Sequence, residues 1–555
     1  MGSRNKLVII GLDGATFDII QPMARSGRLP VMAQLLQSGS SGMLGSTYPP
    51  LTPPAWTTFS TGKNPGKHGV FDFLTKPYCT DPPANFTNFN SVKCATFWEI
   101  LRDEGLRFGI VNLPMTYPPP SVEGFVISGM DTPNDRVIFS YPEELIAELR
   151  TDGIPYQVRF FPREQRRPKD RKQTLERFFR IEEERKNAFL YLIRKKKWDI
   201  FVGVFMLLDK VQHFFWHEHR HHPQSGDAGD EDAICQAYRL IDRFVGDIVS
   251  TVDENTYVML VSDHGFGDVK RIFFINEWLR REGLLTLKKR DPVTFLRHVK
   301  LRTIEKTGSQ ALGRLGLMGL GKILPSRLLT NRFRLYLPAF RYSASSIDWP
   351  RTKAYGASYG IYVNLEGRMP HGTVEPGPEY EKTREFIQER LRNFTDTNTG
   401  EKPDLELLKK EDVYSGPYVP AAPDLVFDYK KSNVLPSHAF KFSRVFAPRS
   451  HFGTHHYEGI FLLRGPGVKP GHRIDGCVIA DVTPTLFYLL GQPVPNDFDG
   501  NVLKDAFLTD FLQRHPIRFQ ETVGISLQRG DEGKTYTPEE ASEIAEKLRN
   551  LGYLD

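Results

Sequence analysis

The chain has 555 residues and a mass of 63.5 kDa, with 40% hydrophobic and 25% charged residues and a formal net charge of +6. That balance belongs to a globular chain and excludes a disordered one, and the 46 glycines and 40 prolines show no collagen-like period. The longest strongly apolar run, 201–208, is far shorter than the roughly 20 residues of a membrane-crossing helix, so no integral membrane protein is expected.

The N-terminal apolar stretch, 7–12, is too short for a signal-peptide core and runs straight into Asp13. A cytoplasmic location is therefore expected. Cys79, Cys94, Cys235 and Cys477 are scattered without CxxC spacing, which argues against a disulfide scaffold or a thiolate zinc site.

In chain order, LVIIG (7–11), GIVNL (109–113) and GFVIS (124–128) read as buried strands. The charged run 165–197, punctuated by Leu175, Phe178, Phe179 and Phe189, reads as a long helix. DIFVGVFML (199–207) and TYVMLVS (256–262) are two further strands. Strands separated by helices predict an α/β fold, a mainly parallel sheet flanked by helices. Ligands of such sheets bind beyond the carboxyl ends of the strands.

The segment 277–347 breaks this rhythm. It is Leu-rich and Gly-studded, and between 292 and 347 it holds ten Lys or Arg against the single acid Glu305. It reads as an inserted helical cap or lid. The βα pattern resumes near Tyr355. The tail ends in TPEEASEIAEKLRNLGYLD, a helix with Thr537 as N-cap and Glu539 and Glu540 in its first turn. The expected division is a catalytic core from 1–276 and 348–510, the basic cap 277–347, and a helical tail 511–555.

Five polar clusters fall at or near the predicted strand ends. Asp13 follows the first strand, where a lone Asp also serves as a helix cap. Thr52, followed by Pro53 and Pro54, reads as the N-cap of a helix reaching Gly62. Asp209 and His213 lie four apart in DKVQH, on one face if that segment is helical. Asp263 and His264 emerge directly from a buried strand, a pairing that packing does not explain. The run RSHFGTHHYEG offers His451, His455 and His456. Carboxylates and imidazoles without thiolate suit zinc or manganese, and six or seven such donors suit two ions rather than one. Paired ions clamp the attacking and leaving oxygens of a displacement at phosphorus. The tract HEHRHHP (217–223) follows no strand and reads as a solvated turn.

The motifs GLDG, TPPAWTTFSTGKNPGKHG, DKVQH, SDHGFGD and GTHHYEG, with DVTPTLFYLLGQPVPNDFDGNVL near the C-terminus, resemble the alkaline phosphatase superfamily. Within it they are most similar to the type I phosphodiesterase / nucleotide pyrophosphatase branch. The resemblance covers nearly all of the chain except the basic insertion. It implies an alkaline phosphatase-like core holding two divalent metal ions, zinc or manganese. It makes Thr52 the nucleophile, and Asp13, Thr52, Asp263 and His264 the ligands of one ion. Asp209, His213 and His455 match the ligands of the other, His455 being the third residue of a GxHxxxG pattern between Gly453 and Gly459.

The resemblance implies a metal-dependent phosphohydrolase acting on a small phosphorylated substrate through a phospho-threonine intermediate. A phosphomutase or phosphotransferase of the same superfamily, or a non-catalytic metal-dependent binding protein, is the alternative. Where the branch carries an Asn three residues after the nucleophile, this chain has Ala55, so another donor is expected to hold that phosphoryl oxygen. Sulfatase activity is not expected, since neither CTDPP nor CATFW fits CxPxR. The basic stretch 292–347 suggests peripheral contact with an anionic membrane, a substrate-capturing lid, or a solvated cap. No nucleic-acid partner is expected, because no nucleic-acid module surrounds the charges.

Overall fold

The structure, a computed structural model, describes residues 5–75, 86–158, 170–219, 232–288 and 346–551, apart from 358, 397–399, 401, 403, 431–433, 441–443, 523, 526, 528 and 531–534. The chain opens with seven strands of one sheet: β1 (Leu7–Leu12), β2 (Ser40–Gly45), β3 (Phe108–Leu113), β4 (Gly124–Ser128), β5 (Ser140–Tyr141), β6 (Ile200–Phe205) and β7 (Tyr257–Val261). Seven strands of smaller sheets follow: β8 (Gly265–Phe274), β9 (Ala354–Ala357), β10 (Gly360–Val363), β11 (Leu407–Lys409), β12 (Leu425–Phe427), β13 (Val434–Ser437) and β14 (Phe446–His456). The chain then returns to the first sheet with β15 (Glu458–Arg464) and β16 (His472–Arg473).

The large sheet has the order β16-β2-β15-β7-β1-β6-β3-β4-β5. Only β15 and β5 run against the other strands. Strands β1, β3, β6 and β7 are buried at every position. Their continuous Val, Ile, Leu and Phe runs are what a strand covered on both faces requires. The expected mainly parallel sheet flanked by helices is thus observed. The predicted helix 165–197 is the helix Arg171–Lys195, whose buried stripe includes Phe178, Ile181, Phe189 and Leu192.

A second apolar core lies under β8 to β14. Phe273, Trp278, Tyr355, Ile361, Ile387, Phe427 and Phe446 are among its buried members. It contains a four-stranded antiparallel sheet, β11-β12-β10-β9, and the three-stranded sheet β13-β8-β14. The segment 348–510 therefore contributes to both cores. A chain pattern of short strands resuming near Tyr355 does not distinguish a return to the parallel sheet from a new antiparallel one.

Most of the predicted cap 277–347, with the basic residues assigned to membrane or lid, lies outside the described residues. Its described ends meet: Leu287 bridges Ile347, and the Lys288 N–H donates to Ser346 O at 3.0 Å. No helix among the described residues is long and apolar enough to cross a membrane. In the tail, the Thr537 hydroxyl accepts from the Glu540 N–H at 3.2 Å while Glu540 accepts from the Thr537 N–H at 2.8 Å. This reciprocal cap starts the helix Pro538–Leu551.

Candidate active site

Strands β7, β1 and β6 are adjacent and parallel, so their carboxyl ends open at one place. Asp13 is the residue after β1, Asp263 stands two residues past β7, and Asp209 lies in the first turn of the helix Leu207–His219 that follows β6. All three carboxylates are at most 1% exposed. The Asp209 N–H donates to Asp13 O at 3.1 Å, locking two of these loops together. Gly14, with φ +72°, permits the approach: a Cβ there would lie 3.1 Å from the Asp209 backbone.

Glu182 sets where the Asp209 helix begins. Its Oε1 accepts from the N–H groups of Met206 and Leu207 at 2.6 and 3.1 Å, and Arg185 donates to its other oxygen at 3.0 Å. The helix places His213 one turn past Asp209, with Nε2 3.1 Å from Asp209 Oδ1. His455 arrives from β14, whose register sets it opposite Phe266 of β8. Its Nδ1–H donates to Pro50 O at 3.0 Å, which turns the Nε2 lone pair toward Asp209 Oδ1 at 3.1 Å and His213 Nε2 at 3.0 Å. His456 points elsewhere, toward Asp268 O at 3.4 Å.

On the other side, His264 uses Nδ1–H on Gly265 O at 3.0 Å. Its Nε2 faces Asp263 Oδ2 at 3.3 Å and Asp13 Oδ1 at 3.7 Å. The rings of His264 and His455 stack with centroids 3.6 Å apart. The two donor groups are therefore contiguous.

Thr52 is the first residue of the helix Thr52–Thr61, and Leu51 occupies the cap position. This corrects the expected N-cap role. Pro53 and Pro54 have no N–H, and the Ala55 N–H is bonded to Leu51 O at 3.0 Å, so the first turn has few amide donors for an anion. The Thr52 hydroxyl caps nothing. It is buried and has no hydrogen-bond partner. Two anchors hold it among the site residues: Pro50 O on His455, and Trp56 Nε1, which donates to Asp13 Oδ2 at 3.2 Å. Trp56 reaches Asp13 across Gly11, where a Cβ would lie 2.7 Å from the indole. Ala55 is buried in the main apolar core and presents no donor.

Burial pushes the Asp13 carboxyl well up, and Asp209 adds to the rise while Lys210 and Trp56 oppose it. Burial, then Asp13 and Asp209, raises Asp263 in the same way. Burial also disfavours ionisation of Asp209, but Lys210, His213 and His455 outweigh it and hold that carboxyl well below its usual range. His264 and His213 are kept neutral, chiefly by burial. Lys210 is nearly fully buried and donates to Asp209 Oδ2 at 2.9 Å.

The residues fit divalent cations. Asp13 Oδ1, both Asp263 oxygens, His264 Nε2 and Thr52 Oγ1 are buried with no hydrogen-bond partner, an expensive arrangement unless a cation completes it. Asp209 Oδ1, His213 Nε2 and His455 Nε2 are separated pairwise by 3.0–3.1 Å. Bonds of about 2.0 Å in a tetrahedron space ligand atoms by about 3.3 Å. Both histidines with an assigned Nδ1 partner donate that proton to a carbonyl, which fixes Nε2 as the ligand atom.

Of the seven residues singled out in the sequence, Asp13, Asp209, His213, Asp263, His264 and His455 thus meet at the strand ends, and Thr52 lies between Pro50 and Trp56, which touch two of them. Sequence reasoning missed Lys210, Trp56 and Glu182. Lys210 adjoins Asp209 in DKVQH and Trp56 lies one turn past Thr52, but Glu182 sits inside a charged helical run and carries no local signal.

Comparison with known proteins agrees with this architecture. The family model of type I phosphodiesterase / nucleotide pyrophosphatase matches residues 7–311. No curated protein sequence matches the chain. Among solved structures, phosphonoacetate hydrolase from Sinorhizobium meliloti 1021, in complex with phosphonoformate, aligns with a TM-score of 0.51 at 14% identity, covering 88% of this chain and 95% of that one. Human ectonucleotide pyrophosphatase / phosphodiesterase 5 aligns with a TM-score of 0.48 at 12% identity, covering 91% of this chain and 100% of that one. The likeness to the hydrolase shows a shared fold.

Proposed function

Because the chain belongs to the type I phosphodiesterase / nucleotide pyrophosphatase family, we propose that it hydrolyses a small phosphate ester in two steps, with Thr52 as nucleophile. Asp13, Thr52, Asp263 and His264 would hold one divalent cation, and Asp209, His213 and His455 a second. Zinc or manganese suits this oxygen and imidazole donor set. Bound there, the cations supply Lewis acidity that lowers hydroxyl and water pKa values and neutralises phosphoryl charge.

Thr52 Oγ1, giving up its proton to solvent, forms the bond to phosphorus as the ester oxygen leaves in line and takes up a proton; water then attacks phosphorus and frees Thr52, releasing phosphate from a monoester or a phosphate monoester from a diester. The anchors on Pro50 and Trp56 hold the hydroxyl in attacking position, which lowers the entropic part of the barrier. The pairing of Lys210 with Asp209 keeps that carboxylate ionised. The helix start is short of amide donors, so stabilisation of the phosphoryl oxygens would rest on cations held by these residues. One observation carries the reading: Asp13, Asp263 and His264 offer ligand atoms within 4.8 Å of one another, and these three residues together with the buried Thr52 hydroxyl hold five polar atoms without a hydrogen-bond partner.

The test is turnover of p-nitrophenyl mono- and diesters by metal-stripped protein with zinc, manganese or magnesium added back. Activity restored by zinc or manganese and abolished in Thr52→Ala is expected. Near-normal turnover by Thr52→Ala excludes Thr52 as nucleophile.

A further inference from the structure

Away from the strand ends, three metal-ligating side chains meet where two helices face one another. His219 closes the helix Leu207–His219, Asp232 caps the helix Ala233–Val249, and Cys235 lies in the first turn of the latter. One ligand atom from each lies within 4.8 Å of the other two. Cys235 is buried, and Asp232 and His219 are partly buried.

The carboxylate is already oriented. Asp232 Oδ1 accepts from the N–H groups of Ile234 and Cys235, both at 2.9 Å. Its Oδ2 lies 3.0 Å from His219 Nδ1. Residues three apart share a helix face, so the cap and Cys235 present their donors on the same side. An imidazole nitrogen, a carboxylate oxygen and a sulfur form a set that magnesium and calcium disfavour and zinc accepts.

We propose that His219, Asp232 and Cys235 form a zinc-binding site distinct from the donors at the strand ends. On binding, the Cys235 thiol loses its proton to solvent and the thiolate forms the metal bond. His219 retains one ring hydrogen, on Nε2, and gives the Nδ1 lone pair to the metal; water completes the coordination. The ion would tie the end of the helix that carries Asp209 and His213 to its neighbour. Cysteine spacing does not reveal such a site, because its donors come from two helices, with His219 and Asp232 thirteen residues apart.

Cobalt(II) distinguishes this site from the other, whose donors include no sulfur. Metal-stripped full-length protein refilled with cobalt(II) is expected to show a thiolate-to-cobalt charge-transfer band in the near ultraviolet. Cys235→Ser should lose the band and one metal equivalent by elemental analysis, with esterase turnover retained. His219→Gln keeps the thiol, and should show a weakened band at cobalt concentrations that saturate the wild type. Absence of the band from the wild-type protein overturns the proposal, as does a band unchanged in either variant.

Discussion

At the scale of single residues, the site is a balance between desolvation and charge. Three buried carboxylates at neighbouring strand ends repel one another, and only Asp209 is seen to accept a hydrogen bond from a cationic side chain, Lys210. Asp263 is the most dependent on a bound cation, since both its oxygens are buried with no side-chain donor and the Gly14 amide offsets only part of the rise that burial and the neighbouring carboxylates impose. Asp263→Asn should therefore lower the bound metal measured by elemental analysis, by up to one equivalent per chain, while the melting temperature of metal-free protein holds or rises because a raised-pKa carboxyl has been removed. Thr52→Ala removes the proposed nucleophilic hydroxyl along with the γ-methyl, and turnover should fall by several orders of magnitude with metal content nearly intact. Thr52→Ser, which keeps the hydroxyl, should recover a measurable fraction of the rate.

At the scale of elements, the helix Thr52–Thr61, which carries the proposed nucleophile, is held by contacts at both of its ends. Trp56→Phe preserves the packing over Gly11 and deletes the donor to Asp13. A hydrogen bond to a charged group contributes about 1.5–3 kcal/mol, so kcat/KM should drop by roughly tenfold or more, with little change in fold by circular dichroism. The other end of this helix leans on His68, which is fully buried and lies 3.0 Å from the Thr58 hydroxyl through Nε2. Burial lowers the His68 pKa from 6.5 to about 3. The folded state thus keeps the imidazole neutral while the unfolded chain takes up a proton below pH 6.5. Stability from this group is complete above pH 6.5 and is lost as pH falls from 6.5 toward 3. Urea unfolding across that range should show the slope, and His68→Gln should flatten it.

At the scale of the whole molecule, the C-terminal segment binds back onto the helices and strands that precede it. Arg529 holds both oxygens of the buried Glu99, at 2.5 and 2.8 Å, and stands 4.0 Å over the Phe89 ring. Burial alone would raise the Glu99 pKa, but the guanidinium more than offsets it and keeps the carboxyl below its usual range. Arg529→Ala leaves a buried carboxylate unpaired and should cost about 3–5 kcal/mol by denaturant unfolding; an unaffected midpoint would show that the tail is dispensable. The second core, under β8 to β14, reaches the site through β8, which starts directly after His264, and through β14, which delivers His455. One half of the site therefore depends on a substructure with its own apolar interior.

The amino-acid order by itself determined the central strands and the identity of the donors. Runs such as LVIIG and TYVMLVS are apolar at every position because both faces of the sheet are covered, and a charged residue directly after such a run has few reasons to be there other than chemistry. What the order left open needed distances. The GxHxxxG resemblance favoured His455 over His456, but that its imidazole faces Asp209 comes from the β8–β14 register. The role of Thr52 shifted from cap to first helical residue because one step of backbone geometry separates the two. The antiparallel sheet around Tyr355 was not legible, since short strands look alike whichever partners they pair with. The hydrogen bonds that Trp56 gives to Asp13 and that Glu182 accepts from Met206 and Leu207, and the meeting of His219 with Asp232 and Cys235, arise between segments distant in sequence or separated by a turn. Such contacts carry no periodicity or spacing of their own, so only the packing of the tertiary structure decides them.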